Sequence, residues 1–186
     1  MTARVHVFGA SGSGTTTLGR ALADELGVPH LDSDDYYWLP TDPPFTAKRP
    51  PAARIARIER DMGGHADWVL SGSLCSWGDP LLHRFTLALF LTLAPAVRLE
   101  RLAAREARRY GSRIAPGGDM HGAHLDFMAW AASYDSAGPP TRSLALHEAF
   151  SSRLPCPVLP LDGARPLADL VRAARDAIDV DSRETT

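Results

Sequence analysis

Short apolar runs alternate along the chain with stretches in which apolar residues recur at helical spacing. The run Val5, His6, Val7, Phe8 ends at Gly9; a glycine-rich turn follows, and Leu18, Ala21, Leu22 and Leu26 then fall on one side of a helix. Gly27 predicts the end of that helix, Pro29 prevents its continuation, and His30-Leu31-Asp32 reads as a second strand. Five prolines from Pro40 to Pro51 predict a loop, after which Ile55, Ile58 and Met62 mark a helix stopped by Gly63-Gly64. Trp68-Val69-Leu70 is a third strand. Phe85 to Leu93 is a nearly continuous apolar run, the pattern of a central parallel strand covered on both faces. Helical patterns cover about Pro95 to Tyr110, His121 to Tyr134 and Arg142 to Arg153. Val158 to Leu161 supplies a fifth strand, and a closing helix runs from Pro166 to Ile178. Strands alternating with helices predict an α/β fold, a parallel sheet between helix layers.

Composition narrows the class. With 186 residues, 45% hydrophobic and 23% charged, the chain suits one compact domain with a buried core, and disordered or collagen-like classes are excluded. The net charge of −2 gives no basic excess, so nucleic acid is not expected as a partner. Cys75 and Cys156 have no metal-ligand spacing, which fits a reducing compartment. The longest apolar run falls far short of the roughly 18 residues of a membrane span, and Met1 to Ala10 runs directly into a strand. The expectation is a soluble, cytoplasmic protein with no membrane partner.

The chemistry begins at Gly9-Ala10-Ser11-Gly12-Ser13-Gly14-Thr15-Thr16, whose spacing is G-x-x-x-x-G-[ST]-[ST] between a strand and a helix. Glycines let consecutive N–H groups turn inward, and a helix starting near Gly14 adds the positive end of its dipole, which makes a cradle for a polyphosphate. Gly9, Ser11, Gly12, Ser13, Gly14, Thr15, Thr16 and Thr17 are the candidate nucleotide-binding residues, and the Thr16 hydroxyl is a candidate Mg²⁺ ligand. Where the usual phosphate loop carries lysine, this chain has Thr15. At an effective dielectric near 20, a charge pair about 4 Å apart is worth about 4 kcal/mol, nearly three decades in rate. Another cation must replace it, or turnover is slow; Lys48 is the sole lysine, so the arginines are the main substitutes.

Leu31-Asp32-Ser33-Asp34-Asp35 places carboxylates at the carboxyl end of a strand, the edge of a parallel sheet where ligands gather. Asp32 suits Mg²⁺ and Asp34 suits a substrate hydroxyl; the same residues also suit capping of a helix through Tyr36-Tyr37-Trp38. Strand three ends in Ser71 and strand four carries no acid, so the metal role falls to Asp32 by elimination.

Gly9 to Thr17 followed by Leu18-Gly19-Arg20-Ala21-Leu22-Ala23 resembles the opening of the P-loop kinases of the nucleoside monophosphate kinase and shikimate kinase group. Some archaeal-type cytidylate kinases are similar even in the run G-S-G-T-T-T. The Asp32-Ser33-Asp34 triplet looks like the element after strand two of shikimate kinases, where the first acid serves the metal and the second the acceptor. The resemblance implies a three-layer P-loop NTPase fold with a parallel five-stranded sheet in the order 2-3-1-4-5 and helices on both faces. It implies ATP as donor, Mg²⁺ as cofactor, and phosphoryl transfer to a small-molecule acceptor, a nucleotide or nucleoside, by a monomer or homodimer. On this reading residues 1–186 are one domain, with an acceptor-binding insert at about 33–67 and a lid at about 105–140. Thr15 and the missing strand-three acid leave open a nucleotide-binding switch or a plain ATPase.

Arg98, Arg101, Arg105 and Arg108 share one helical face, with Arg109 nearby. In the kinase reading this stripe resembles a lid helix whose arginines neutralise charge on the transferring group, and Arg105 and Arg109 are the leading candidates; pairing with Glu100 and Glu106 is the alternative. Tyr36, Tyr37, Trp38 and Phe45, with Lys48 and Arg49, lie where this group binds its acceptor: the rings suit stacking and the cations an acceptor phosphate. Gly72 would let the backbone approach the acceptor, or serve as a simple turn. Asp162-Gly163-Ala164 corresponds to the loop that flanks adenine in related kinases. His121 and His124 have no third ligand at matching spacing and read as surface or capping residues.

Overall fold

In the computed structural model, which describes residues 2–184, five parallel strands form one sheet. The strands are β1 (Arg4–Gly9), β2 (His30–Asp32), β3 (Trp68–Ser71), β4 (Leu87–Thr92) and β5 (Val158–Asp162). The apolar β1 is central, pairing with β3 on one side and β4 on the other, while β2 and β5 take the edges. The order is therefore 2-3-1-4-5, as the resemblance implied. Among the described residues, seven α-helices connect and cover these strands: α1 (Thr15–Leu26), α2 (Ser33–Tyr37), α3 (Pro51–Gly63), α4 (Pro95–Tyr110), α5 (His121–Ala132), α6 (Leu144–Ser151) and α7 (Leu167–Glu184).

Alternation along the strands builds two separate cores. Val5 and Val7 of β1, with Leu87, Leu89 and Leu91 of β4, pack against Leu18 and Leu22 of α1 and Leu170, Ala174 and Ile178 of α7. On the opposite face Phe8, Leu70 and Ala88 meet Ile58 and Met62 of α3 and Phe150 of α6. His6 occupies this second face, fully buried between the rings of Phe8 and Phe85 at 5.0 and 4.8 Å. Burial pushes its pKa down to about 4, and the neutral ring meets the Gly72 carbonyl through Nε2 at 2.9 Å.

The predicted elements match these with local differences. Helix α1 ends where expected, at Gly27 in the left-handed conformation. The fourth predicted helix, 121–134, stops at Ala132 and gives way to a 3-10 turn, and the fifth begins only after Ser143, whose side chain accepts the Leu146 N–H at 3.3 Å and so caps α6. The short α2 directly after β2 realises the capping reading of the acidic segment: the Asp32 side chain accepts the N–H of Asp34.

Candidate active site

The loop from Gly9 to Gly14 leaves the centre of the sheet and enters α1. Gly12 and Gly14 have φ of +84° and +104°, conformations that favour glycine, and a Cβ on Gly12 would stand 2.7 Å from the Arg98 carbonyl. The loop is thus backed by the first turn of α4. The first turn of α1 has no side-chain cap, which leaves its amides open toward the loop mouth. Ser13 is buried, and its hydroxyl meets no hydrogen-bonding partner among the described residues. Gly163, after β5, donates its N–H to Thr92 and packs so closely that a Cβ would lie 2.6 Å from the Ser13 carbonyl.

Thr16 and Asp32, singled out from separate segments, come together: the Thr16 hydroxyl donates to Asp32 Oδ2 at 3.1 Å. Asp32 Oδ1 is the atom that caps α2, accepting the Asp34 N–H at 3.1 Å. One carboxylate thereby joins the end of the phosphate loop to the start of α2. At the end of β3, Ser71 is turned to His30, Oγ to Nε2 at 2.9 Å, so its hydroxyl serves a strand-to-strand contact.

Asp34 is exposed to solvent yet crowded by protein on one side. Burial and the Asp32 charge raise its pKa above the ordinary carboxylate range, against the opposing influence of Arg142, Trp38 and Arg105. Two guanidiniums therefore bear on this carboxylate. Arg105 is half-buried beside Phe127, 5.9 Å from the ring centroid, and its Nε is buried without a partner among the described residues. Arg142, in the connection before α6, lies 4.6 Å from the Trp130 ring centroid and donates to Ser11 Oγ at 3.4 Å.

The remaining candidates are dispersed. Arg109 lies over Phe45, 5.6 Å from its centroid, and Arg113 pairs with Asp42 at 2.9 Å, so the end of α4 and the turn after it meet the 39–50 loop. Lys48 is exposed at the rim near Tyr37. Arg49 donates to the carbonyls of Tyr36 and Trp38, which makes it a brace of this loop. Tyr36 is buried and donates to Asp61; Tyr37 lies under Arg54, 3.8 Å from its guanidinium carbon, while Trp38 packs between Tyr37 and Phe45. Gly72 has φ +99°, and Ser33 fills the space its Cβ would need. Arg98 is buried, bonded to the Leu93 carbonyl and the Asp135 carboxylate and set against Tyr134, a structural tie. His121 bonds the Ile114 carbonyl and His124 faces Glu106.

Sequence reasoning missed Arg142 and Trp130. Arg142 belongs to no spaced pattern, and Trp130 lies inside a predicted helix without a motif of its own. In the structure α5 has no single apolar face and most of its residues remain partly or fully exposed, so its rings belong to neither core.

A parallel 2-3-1-4-5 sheet whose central strand passes through a glycine loop into a helix is the fold of the P-loop kinases. More particularly, the chain belongs to the AAA_18 family, described as an AAA domain, whose model matches residues 5–119. It is 44% identical over 162 residues to "Uncharacterized protein YqaC" of Bacillus subtilis (strain 168), covering 87% of this chain and 89% of that protein. A cytidylate kinase of Methanocorpusculum labreanum is 26% identical over 120 residues, 55% of this chain and 63% of that one. The shikimate kinase of Bacteroides thetaiotaomicron has the same fold, with a TM-score of 0.54 at 18% identity, covering 96% of this chain and 99% of that one. No helix among the described residues is long and apolar enough to cross a membrane.

Proposed function

We propose that this protein is a small-molecule kinase that transfers the terminal phosphoryl group of ATP to an oxygen of a nucleotide, a nucleoside or a similar small acceptor. The observation that carries the reading is the Thr16–Asp32 hydrogen bond at the mouth of the glycine loop, with Asp34 two residues further on. The names of the cytidylate and shikimate kinases that the chain resembles support it.

The loop residues Ser11 to Thr17 hold the donor phosphates through main-chain amides, and the 162–164 turn beside Ser13 flanks the base. Thr16 and Asp32 fit a magnesium ion that phosphate oxygens complete: a hydroxyl whose proton is taken by a carboxylate keeps its lone pairs for a cation. When bound, the ion neutralises charge on the phosphates. Asp34 accepts the proton of the acceptor hydroxyl as that oxygen forms its bond to phosphorus and the bond to the ADP oxygen breaks. Arg105 offsets charge near Asp34, while Arg109, Lys48 and Trp38 border the acceptor side. A raised pKa suits Asp34 to this task, because a base closer to the working pH takes the proton more effectively.

The test is transfer of label from γ-labelled ATP in the presence of Mg²⁺, across nucleosides, nucleoside monophosphates, sugars and hydroxy acids. Label is expected in an organic acceptor, with Asp34→Asn slowing transfer about a hundredfold or more. Label appearing only as inorganic phosphate, whatever acceptor is added, would identify an ATPase instead.

A further inference from the structure

Thr15 leaves the phosphate loop without the ammonium group that usually reaches the β- and γ-phosphates. Two arginines flank the loop. Arg101, exposed on α4, comes within 4.0 Å of where a Cβ on Gly14 would stand, at the end of the loop that starts α1. Arg142 touches the other end, with Nη2 3.4 Å from Ser11 Oγ. Trp130 braces its guanidinium at 4.6 Å, and the backbone beside it is fixed where Ser143 caps α6.

We propose that Arg142, braced by Trp130 and reaching Ser11, supplies from the opposite wall of the cleft the phosphate-binding charge that the loop lacks at Thr15. The inference rests on the kinase reading and deepens it. Contact with Ser11 puts the guanidinium on the donor loop, the side from which the phosphoryl group leaves. A guanidinium suits the position because its planar fork bridges two phosphate oxygens and keeps its charge even when partly desolvated. The arrangement also gives the half-buried rings of α5 a purpose. Phe127 lies beside Arg105 as Trp130 lies beside Arg142, so one helix positions two cations.

The test is calorimetric titration with ATP and with ADP, both with Mg²⁺. Wild-type protein is expected to prefer ATP. Arg142→Met, which keeps the stem without the charge, should cut that preference about tenfold to a hundredfold, the span of one charge-assisted hydrogen bond. Arg142→Lys should retain more of it, and Thr15→Lys added to Arg142→Met should restore part. Arg101→Met should weaken both nucleotides alike. An undiminished preference in Arg142→Met, or a loss confined to Arg101→Met, overturns the proposal while leaving the kinase reading intact. Failure of the wild type to bind either nucleotide overturns both. Thermal melting of each variant separates a lost charge from a lost fold.

Discussion

Asp32 divides its two oxygens between two contacts. Its Oδ1 caps α2 and its Oδ2 receives the Thr16 hydroxyl, so capping orients the carboxylate for the loop. That pairing was legible because both residues occupy fixed offsets from strand ends. Arg142 was not, since only the fold brings it to Ser11, 131 residues earlier in the chain. Asp34 carries a pH prediction. Its carboxyl titrates above the usual range because of burial and the Asp32 charge, and a base must be ionised to work, so kcat/KM should fall as pH is lowered through that raised value. Arg142 opposes the shift, so Arg142→Met should move the inflection to higher pH. A profile that stays flat into the ordinary carboxylate range would remove Asp34 as the base.

Helix α4 shows how a correct periodicity divides by function. At about 100° per residue, Arg98 and Arg105 lie within about 20° of each other, with Leu102 about 40° and Glu106 about 80° from Arg98 on the buried side, whereas Arg101 and Arg108 lie about 60–80° round on the other. The first pair is accordingly buried or half-buried and the second exposed. The stripe is thus the boundary of a buried face, and a sequence pattern alone does not say on which side of such a boundary each arginine falls. The short α2 was legible only as a capping signal, because five residues are too few to display a helical period. Its placement depends on Gly72. A Cβ there would come within 2.0 Å of Ser33 Oγ, and the backbone has φ +99°. Gly72→Ala should cost about 2 kcal/mol in urea unfolding and displace Asp32 and Asp34 together, with part of the stability recovered on adding Ser33→Gly. Unchanged stability would show that α2 yields freely and is not set by this contact.

Across the whole molecule, the order of strands and helices was readable from hydrophobic period and glycine punctuation, because each β-to-α unit leaves its own local signature. Which strand residues face which helix layer was not read from these continuous apolar runs: β1 and β4 carry Val and Leu toward α1 and α7, and His6, Phe8, Ala88 and Phe90 toward the other side. The closure of the cleft was not readable, since it joins distant segments by Arg109 on Phe45 and Arg113 on Asp42. These contacts join the end of α4 and the turn after it to the 39–50 loop, whereas the phosphate loop lies against the first turn of α4. Every functional assignment depends on that loop gripping a triphosphate through its amides. The most direct measurement is calorimetric titration of the wild-type protein with ATP, with and without Mg²⁺, beside Gly12→Val, whose side chain has no room against the Arg98 carbonyl. Saturable, magnesium-dependent binding that Gly12→Val abolishes is the predicted result; no binding of any nucleoside triphosphate by the wild type would contradict it.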